Sequence, residues 1–212
     1  MKKIFTLFSL LFFCIYFSQI ANELKKEEIQ KISTKNHEKS LGLDINISYP
    51  ADWTKTEGKR PHMLYNFANP DKSIRSTFGI TDIIEKSSPE EKKAFRLLSD
   101  KDIKDIMLQS FPTAKNCSNY FNEIGIENPK NSTCRITKVE GIESSVGSTF
   151  GTLRRAEFTM DFYMVYYQIP YKTKIINISF NFQNIKDEQD RFLADNLSNK
   201  IINTIVINNL WK

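Results

Sequence analysis

The side chains of this chain that could do chemistry are few. Beyond the first 18 residues the only cysteines are Cys117 and Cys134, and the only histidines are His37 and His62. The two cysteines lack the C-x-x-C spacing of redox catalysts. An even count in an exported chain predicts a disulfide, whose loop of about 17 residues would contribute about 3 kcal/mol in the chain-entropy model. The alternative is a pair of separate thiols. Any Ser-His-Asp or Cys-His arrangement would have to use His62, because His37 sits in a polar stretch that suits a solvated side chain. His62 opens a strand pattern, where an exposed structural histidine is the simpler reading. The run Gly147-Ser148-Thr149-Phe150-Gly151 also lacks the G-x-S-x-G spacing of a nucleophile elbow. A zinc site needs more His and Cys than this. Asp100, Asp102 and Asp105 lack the glycine and terminal glutamate of a calcium loop, have Lys101 and Lys104 beside them, and suit a first helical turn. No catalytic residue, metal ligand or cofactor is assigned.

Binding chemistry is better represented. Residues 158–182 read FTMDFYMVYYQIPYKTKIINISFNF, a long antiparallel hairpin closed by a turn over 169–173. With period two, one face carries Met160, Phe162, Met164 and Tyr166, joined by Ile176, Ile178, Phe180 and Phe182. That face is expected to lie under a helix. The other face carries Asp161, Tyr163, Val165 and Tyr167, with Asn177, Ser179 and Asn181 opposite, and Arg154 and Arg155 lead into it. Tyrosine, arginine and asparagine on a rigid sheet suit contact with a ligand or partner. Arg154, Asp161, Tyr163, Tyr167 and Asn177 are therefore the candidate binding residues. The alternative is a half-covered face with tyrosine hydroxyls at its rim.

The elements that must hold these residues follow from periodicity. Strands are expected over 41–49, 53–56, 62–68, 73–85, 134–142 and 145–150, with Gly151 as a break before the hairpin. Ser87-Ser88-Pro89 is a helix start, with residues 90–98 a short helix or a helical loop, and Ser99-Asp100 starts a second helix with a stripe of Ile103, Ile106, Met107 and Phe111. Residues 116–126 fit a helix or an irregular loop. Residues 187–206 repeat Phe192, Leu193, Leu197, Ile201, Ile202 and Ile205 at three and four, an amphipathic helix that would cover the hairpin. Residues 206–212 read as an extended tail. The order is strands, helices, strands, helix, an α+β pattern with an antiparallel sheet and helices packed on it.

Composition sets the class. Sixteen Phe among 212 residues allow a substantial core, and seven Gly and seven Pro argue against a fibrous or low-complexity chain. Lys2-Lys3 followed by an apolar run to Phe17 has the layout of a secretory signal peptide, residues 1–18, with cleavage after Ser18 and Ala21 as the fallback. The run is short for a membrane span, so none is expected after cleavage. Cys14 lacks the small preceding residues of a lipoprotein signal. Residues 19–39 are rich in Lys, Glu, Asn and Gln and read as a linker or loose helix, leaving 40–212 as a single domain. Without Lys2 and Lys3 the formal charge of +5 falls to +3, too mild and interspersed for nucleic acid.

The stretch Ile47-Ser48-Tyr49-Pro50-Ala51-Asp52-Trp53 resembles the opening of PsbP-like domains. Residues 175–182, the following helix and Ile202-Asn203-Thr204-Ile205-Val206 resemble their close. The spacing from Tyr49-Pro50 through Arg60-Pro61-His62 to Asn209-Leu210-Trp211-Lys212 is similar to a family of uncharacterised exported bacterial proteins. The resemblance covers about residues 40 to 212. It implies a three-layer α/β/α sandwich and a binding module, and carries no site residue with it. The function expected is an exported, non-enzymatic binding or accessory protein of the cell envelope, periplasmic or secreted from a Gram-negative bacterium, with a protein or envelope component as partner. Two alternatives are a small-molecule or lipid carrier with a pocket between sheet and helix, an apolar cavity near Met160, Met164 and Phe180, and a hydrolase built on His62 or on a carboxylate pair in a cleft.

Overall fold

The computed structural model describes residues 19–85, 87–155 and 158–211. The expected signal segment, residues 1–18 with Cys14, lies outside the described residues.

Ten strands form two antiparallel sheets among the described residues. The smaller orders β1 (Ile29–Ser33), β2 (Ile45–Pro50) and β10 (Val206–Ile207) as β1-β2-β10. The larger contains β3 (Thr54–Glu57), β4 (Met63–Ala68), β5 (Ile74–Asp82), β6 (Glu127–Val139), β7 (Ile142–Arg155), β8 (Phe158–Tyr171) and β9 (Lys174–Phe182). Its order is β3-β4-β5-β9-β8-β7-β6. The helices are α1 (Gln19–Lys25), α2 (Pro89–Leu97), α3 (Asp100–Ser110), α4 (Cys117–Glu123) and α5 (Glu188–Ile202). The fold is α+β, with antiparallel sheets and helices packed on them.

Local chemistry explains the boundaries. Ser88 with Glu91 and Ser99 with Asp102 form capping boxes at α2 and α3, and the Asp187 carboxylate accepts from the Asp190 N–H at the start of α5. Between β4 and β5 the Asn69 side-chain oxygen accepts from Ile74 N–H at 2.9 Å and Asp71 accepts from Ser73 N–H at 3.0 Å. These bonds leave Lys72 at φ 63°.

Two faces of the large sheet are covered differently. On one, α5 and the small sheet enclose the main core. Ile45, Ile47, Phe78, Ile176, Ile178 and Phe180 are fully buried there. Tyr49 stacks on Phe67 at 3.8 Å between ring centroids and shares a hydrogen bond with Ser76 at 3.0 Å. On the other face, α4 presses Cys117 and Phe121 against Phe162, with Ile126 and Cys134 beside them. Residues 162 and 163 point to opposite sides of β8. Helices therefore lie on both faces, as the α/β/α arrangement requires.

The hairpin differs from its expected register. β8 and β9 are joined through Lys172 and Thr173 alone, with Tyr171 paired to Lys174 and Lys172 at φ 53°. Shortening the turn from five residues to two moves the pairing by an odd number, and an odd slip exchanges the faces. Tyr163 pairs with Phe182, Val165 with Phe180 and Tyr167 with Ile178. Tyr163, Val165 and Tyr167 thus join the aliphatic core face, and Met160, Phe162, Met164 and Tyr166 join Asn177, Ser179 and Asn181 on the other.

Further corrections are local. Within 19–39, read as a linker or loose helix, α1 packs on the fold through Ile20, and β1 pairs with β2. The Glu23 carboxylate, buried, accepts from the Trp53 indole N–H at 2.7 Å and from Lys26 at 2.8 Å. Residues 116–126 contain α4, and β6 begins at Glu127 rather than 134. Gly151 does not break β7. It pairs with Phe162 under the turn after α4, where a Cβ would stand 2.2 Å from Ile126 Cγ2. Ile106 and Phe192, placed on buried stripes above, are exposed, while Ile103, Met107, Leu197 and Ile201 are buried. The expected extended tail supplies β10 and a short 3-10 turn, Asn208–Trp211.

Candidate functional site

The face of the large sheet opposite α5 is only partly covered. α4 packs on β6 and β7 with side chains reaching β8, α3 contacts β7 and β8, and the uncovered part forms an open trough of about 1000 Å³. The strand register gives its floor. One row runs Asn66, Thr77, Ser179, Tyr166 across β4, β5, β9 and β8. The next row runs Ala68, Arg75, Asn181, Met164. A third brings Gly79, Asn177 and Gln168 together. Strands lie about 4.8 Å apart, so side chains two strands apart are separated by roughly 10 Å.

The trough changes character across these rows. On the β4–β5 side, Arg60, Lys72 and Arg75 line it, with His62 at the end near Gly79. Among the described residues no carboxylate lines it, and none of these three cations has a carboxylate partner. The middle is polar, with Asn177, Ser179 and Asn181 half-buried along β9. On the β8 side the wall is apolar, made by Met160, Phe162 and Met164 and by Ile124 and Ile126 after α4.

The disulfide holds that wall. Cys117, the first residue of α4, is bonded to Cys134 on β6, with Cα atoms 5.6 Å apart. Gly147 leaves room beneath, since a Cβ there would sit 3.1 Å from both Cys134 Sγ and the Phe121 ring. Tyr120 stacks on Tyr166 at 6.3 Å between centroids. The Tyr166 hydroxyl donates to Asn177 Oδ1 at 2.6 Å, and Asn177 Nδ2 donates to Thr81 Oγ1 at 3.1 Å. Burial pushes the Tyr166 hydroxyl up to about 12, so it stays a neutral donor at physiological pH.

Several polar groups in this trough are unpaired. Gln168 Oε1 is buried and has no hydrogen-bond partner among the described residues. The Ser179 hydroxyl and the Asn181 amide also lack a partner there. An unsatisfied polar group costs about 1–3 kcal/mol when buried, so Gln168 Oε1 marks a place where a ligand or water has something to supply, while half-buried Ser179 and Asn181 can be hydrated.

The five candidate binding residues do not gather in one place. Tyr163 and Tyr167 are buried under α5, where they donate to Asp195 Oδ1 at 2.8 Å and Asn199 Oδ1 at 2.7 Å. Asp161 is exposed and accepts from Thr152 at 2.6 Å. Arg154 is exposed and lies 3.6 Å from the Glu127 carboxylate. Asn177 alone of the five lines the trough, with its β9 neighbours Ser179 and Asn181. His62 is exposed at the rim, with no hydroxyl or carboxylate bonded to its ring among the described residues. No group of three or more His, Cys, Asp or Glu that could hold a metal occurs among the described residues. The Asp102 carboxylate accepts from the Ser99 N–H at 3.3 Å and hydroxyl at 2.6 Å in the α3 capping box, and Asp105 pairs with Lys101 at 3.5 Å.

Sequence reasoning missed Arg75, Thr77, Tyr166 and Gln168. A signal for two of them was present. In β5 the small or polar Arg75, Thr77, Gly79 and Thr81 alternate with Ile74, Ser76, Phe78 and Ile80. That alternation marks one face as uncovered.

No family model matches this sequence, and no curated protein matches it. Solved structures of the PsbP-like fold align along most of the chain. The cyanobacterial PsbP protein CyanoP of Synechocystis sp. PCC 6803 is 10% identical, with TM-score 0.43, covering 85% of this chain and 92% of its own. The Ran-binding protein Mog1p of Saccharomyces cerevisiae is 9% identical, with TM-score 0.48, covering 85% and 95%. LpqN of Mycobacterium tuberculosis, involved in cell envelope biogenesis, is 10% identical, with TM-score 0.39, covering 90% and 97%. At these values the likeness is one of chain path, and no partner or site residue passes from those proteins to this one.

Proposed function

We propose that this chain is a non-enzymatic binding or accessory protein that holds its ligand or partner in the trough on the open face of the large sheet. The observation that carries this reading is the composition of the trough. It is a concave surface of about 1000 Å³ that, among the described residues, has amide and hydroxyl groups without partners on its floor, an apolar wall on one side and cations without carboxylates on the other. Binding sites characteristically combine an apolar lining with a few convergent polar groups. The site of action is an oxidising compartment, periplasmic or secreted, which the Cys117–Cys134 disulfide supports. No helix among the described residues is long and apolar enough to cross a membrane. The carrier alternative changes form: Phe180 is fully buried beneath α5, and Met160 and Met164 line the trough instead. The hydrolase alternative loses support, because His62 is exposed with no nucleophile or orienting group bonded to it among the described residues.

The test uses Ser179→Trp, which fills the middle of the trough from a half-buried position outside the main core. Wild-type and variant proteins, matched for thermal stability, are immobilised and exposed to an envelope extract of the cells that make them. Mass spectrometry then identifies what each retains. Material held by the wild type and lost by the variant is the expected result. Equal retention by both contradicts the reading.

A further inference from the structure

We infer that the trough takes a single-chain anionic amphiphile, with a phosphate or carboxylate head on the Arg75 side and a hydrocarbon tail against the Met160–Met164 wall. This rests on the proposed use of the trough as the binding face. Two independent features of the lining carry it. The first is charge. Arg60, Lys72 and Arg75 line the trough with no carboxylate among its lining residues, and the described residues offer these cations no ion-pair partner. Among the described residues Arg75 commits only its Nε, to Lys72 O at 3.3 Å, which leaves its terminal guanidinium nitrogens to face an oxyanion. The second is the placement of apolar surface. Arg75, Asn181 and Met164 occupy one cross-strand row, so the cation and the thioether stand two strands apart, roughly 10 Å. Met160 and Ile124 extend the apolar side, and methionine adapts to flexible chains. Between them Ser179 and Asn181 present donors that a head group or its linkage can use.

A free inorganic anion would use the cations and leave the wall exposed. A neutral amphiphile would cover the wall and leave the cations unpaired. An anionic amphiphile meets both requirements.

The experiment is isothermal titration of the oxidised full chain below the critical micelle concentration of each probe. The probes are dodecyl phosphate, dodecanoate, dodecyl maltoside, dodecyltrimethylammonium and inorganic phosphate. An acidic peptide with alternating leucine and glutamate serves as a sixth arm. Expected is one dodecyl phosphate or dodecanoate per chain, displaced by rising salt and abolished by Ser179→Trp. Arg75→Gln, a change at an exposed position, weakens binding about tenfold or more, as the loss of a charge-assisted hydrogen bond requires. Met164→Asn weakens the dodecyl probes and leaves inorganic phosphate unchanged. Dodecyl maltoside bound as tightly, with Arg75→Gln without effect, overturns the anionic head while the trough reading stands. Inorganic phosphate bound as tightly as dodecyl phosphate overturns the tail. Preference for the peptide overturns the amphiphile. Failure of every probe, while the wild type still retains extract material that Ser179→Trp loses, overturns this inference alone. If that difference in retention is also missing, both readings fall.

Discussion

Reducing the Cys117–Cys134 bond should loosen the wall of the trough before it unfolds the protein. The bond closes a loop across a sequence separation of 17 residues. The loop-entropy relation gives about 3 kcal/mol for that length, and for a domain of this size such a loss lowers Tm by roughly 6–12 °C. The contribution should be local in character. The loop contains α4 with Ile124 and Ile126, which stand over β7 and β8 and do not touch the main core between α5 and the sheets. Phe121, fully buried, remains the other anchor of that segment. The assay compares oxidised protein, reduced protein and a Cys117→Ala/Cys134→Ala variant by urea denaturation, with hydrogen exchange at α4. Expected are a lower midpoint, a slightly larger m-value as the released loop lets the unfolded chain expand, and faster exchange at α4 than at β5 or β9. Ligand binding should weaken in parallel. A loss well under 1 kcal/mol, with α4 exchanging as slowly as in the oxidised protein, would show that the bond does not hold the wall. Phe121 and Ile126 would then hold the loop without help from the bond.

Two further perturbations examine the packing. Gly151→Val should cost about 1–3 kcal/mol in urea denaturation, because its Cβ would meet Ile126 Cγ2 at 2.2 Å and the strand pairing leaves little room to retreat. A neutral result would show that the turn after α4 is not seated on β7. Asp195 gives a pH signature. Burial raises its carboxyl above the ordinary value of 3.8, against the lowering effects of the Tyr163 hydroxyl, Arg191 and Arg135, with Glu188 adding to the rise. With the folded value above the unfolded one, the unfolded chain binds fewer protons as pH rises through that interval, so this group's contribution to stability falls there. Asp195→Asn should therefore remove a loss of stability that the wild type shows between the ordinary carboxylate range and neutral pH, with the two proteins converging at low pH. Calorimetry at a series of pH values measures it, and a variant less stable at neutral pH by as much as at low pH contradicts the sign.

Much of the architecture was legible because local patterns agreed with it. The stripe of Leu197, Ile201 and Ile202 identified α5, the serine caps identified α2 and α3, and the cysteine count identified the disulfide. The hairpin face was harder for a physical reason. Both faces of β8 are apolar or aromatic, so period two alone does not choose between them. The choice is made by β9, whose Ile176, Ile178, Phe180 and Phe182 must all be buried, and by a turn of two residues that decides which face of β8 joins them. Tyr163 and Tyr167 then enter the core with their hydroxyls satisfied by Asp195 and Asn199 on α5. Those partners lie 32 residues away, and no local pattern reveals them. The trough escaped notice for a similar reason. Arg75 and Met164 are 89 positions apart in the chain and meet across β9 only once the strand order is known.

Whether the trough is the binding face is decided by where bound material touches the chain. Backbone amide chemical shifts of the oxidised protein, recorded with and without the material that the wild type retains, report this residue by residue. The largest changes are expected at Arg75, Thr77, Ser179, Asn181 and Met164, with α5 unmoved and no response in Ser179→Trp. Changes concentrated on α5 or the small sheet, with the trough silent, would contradict it.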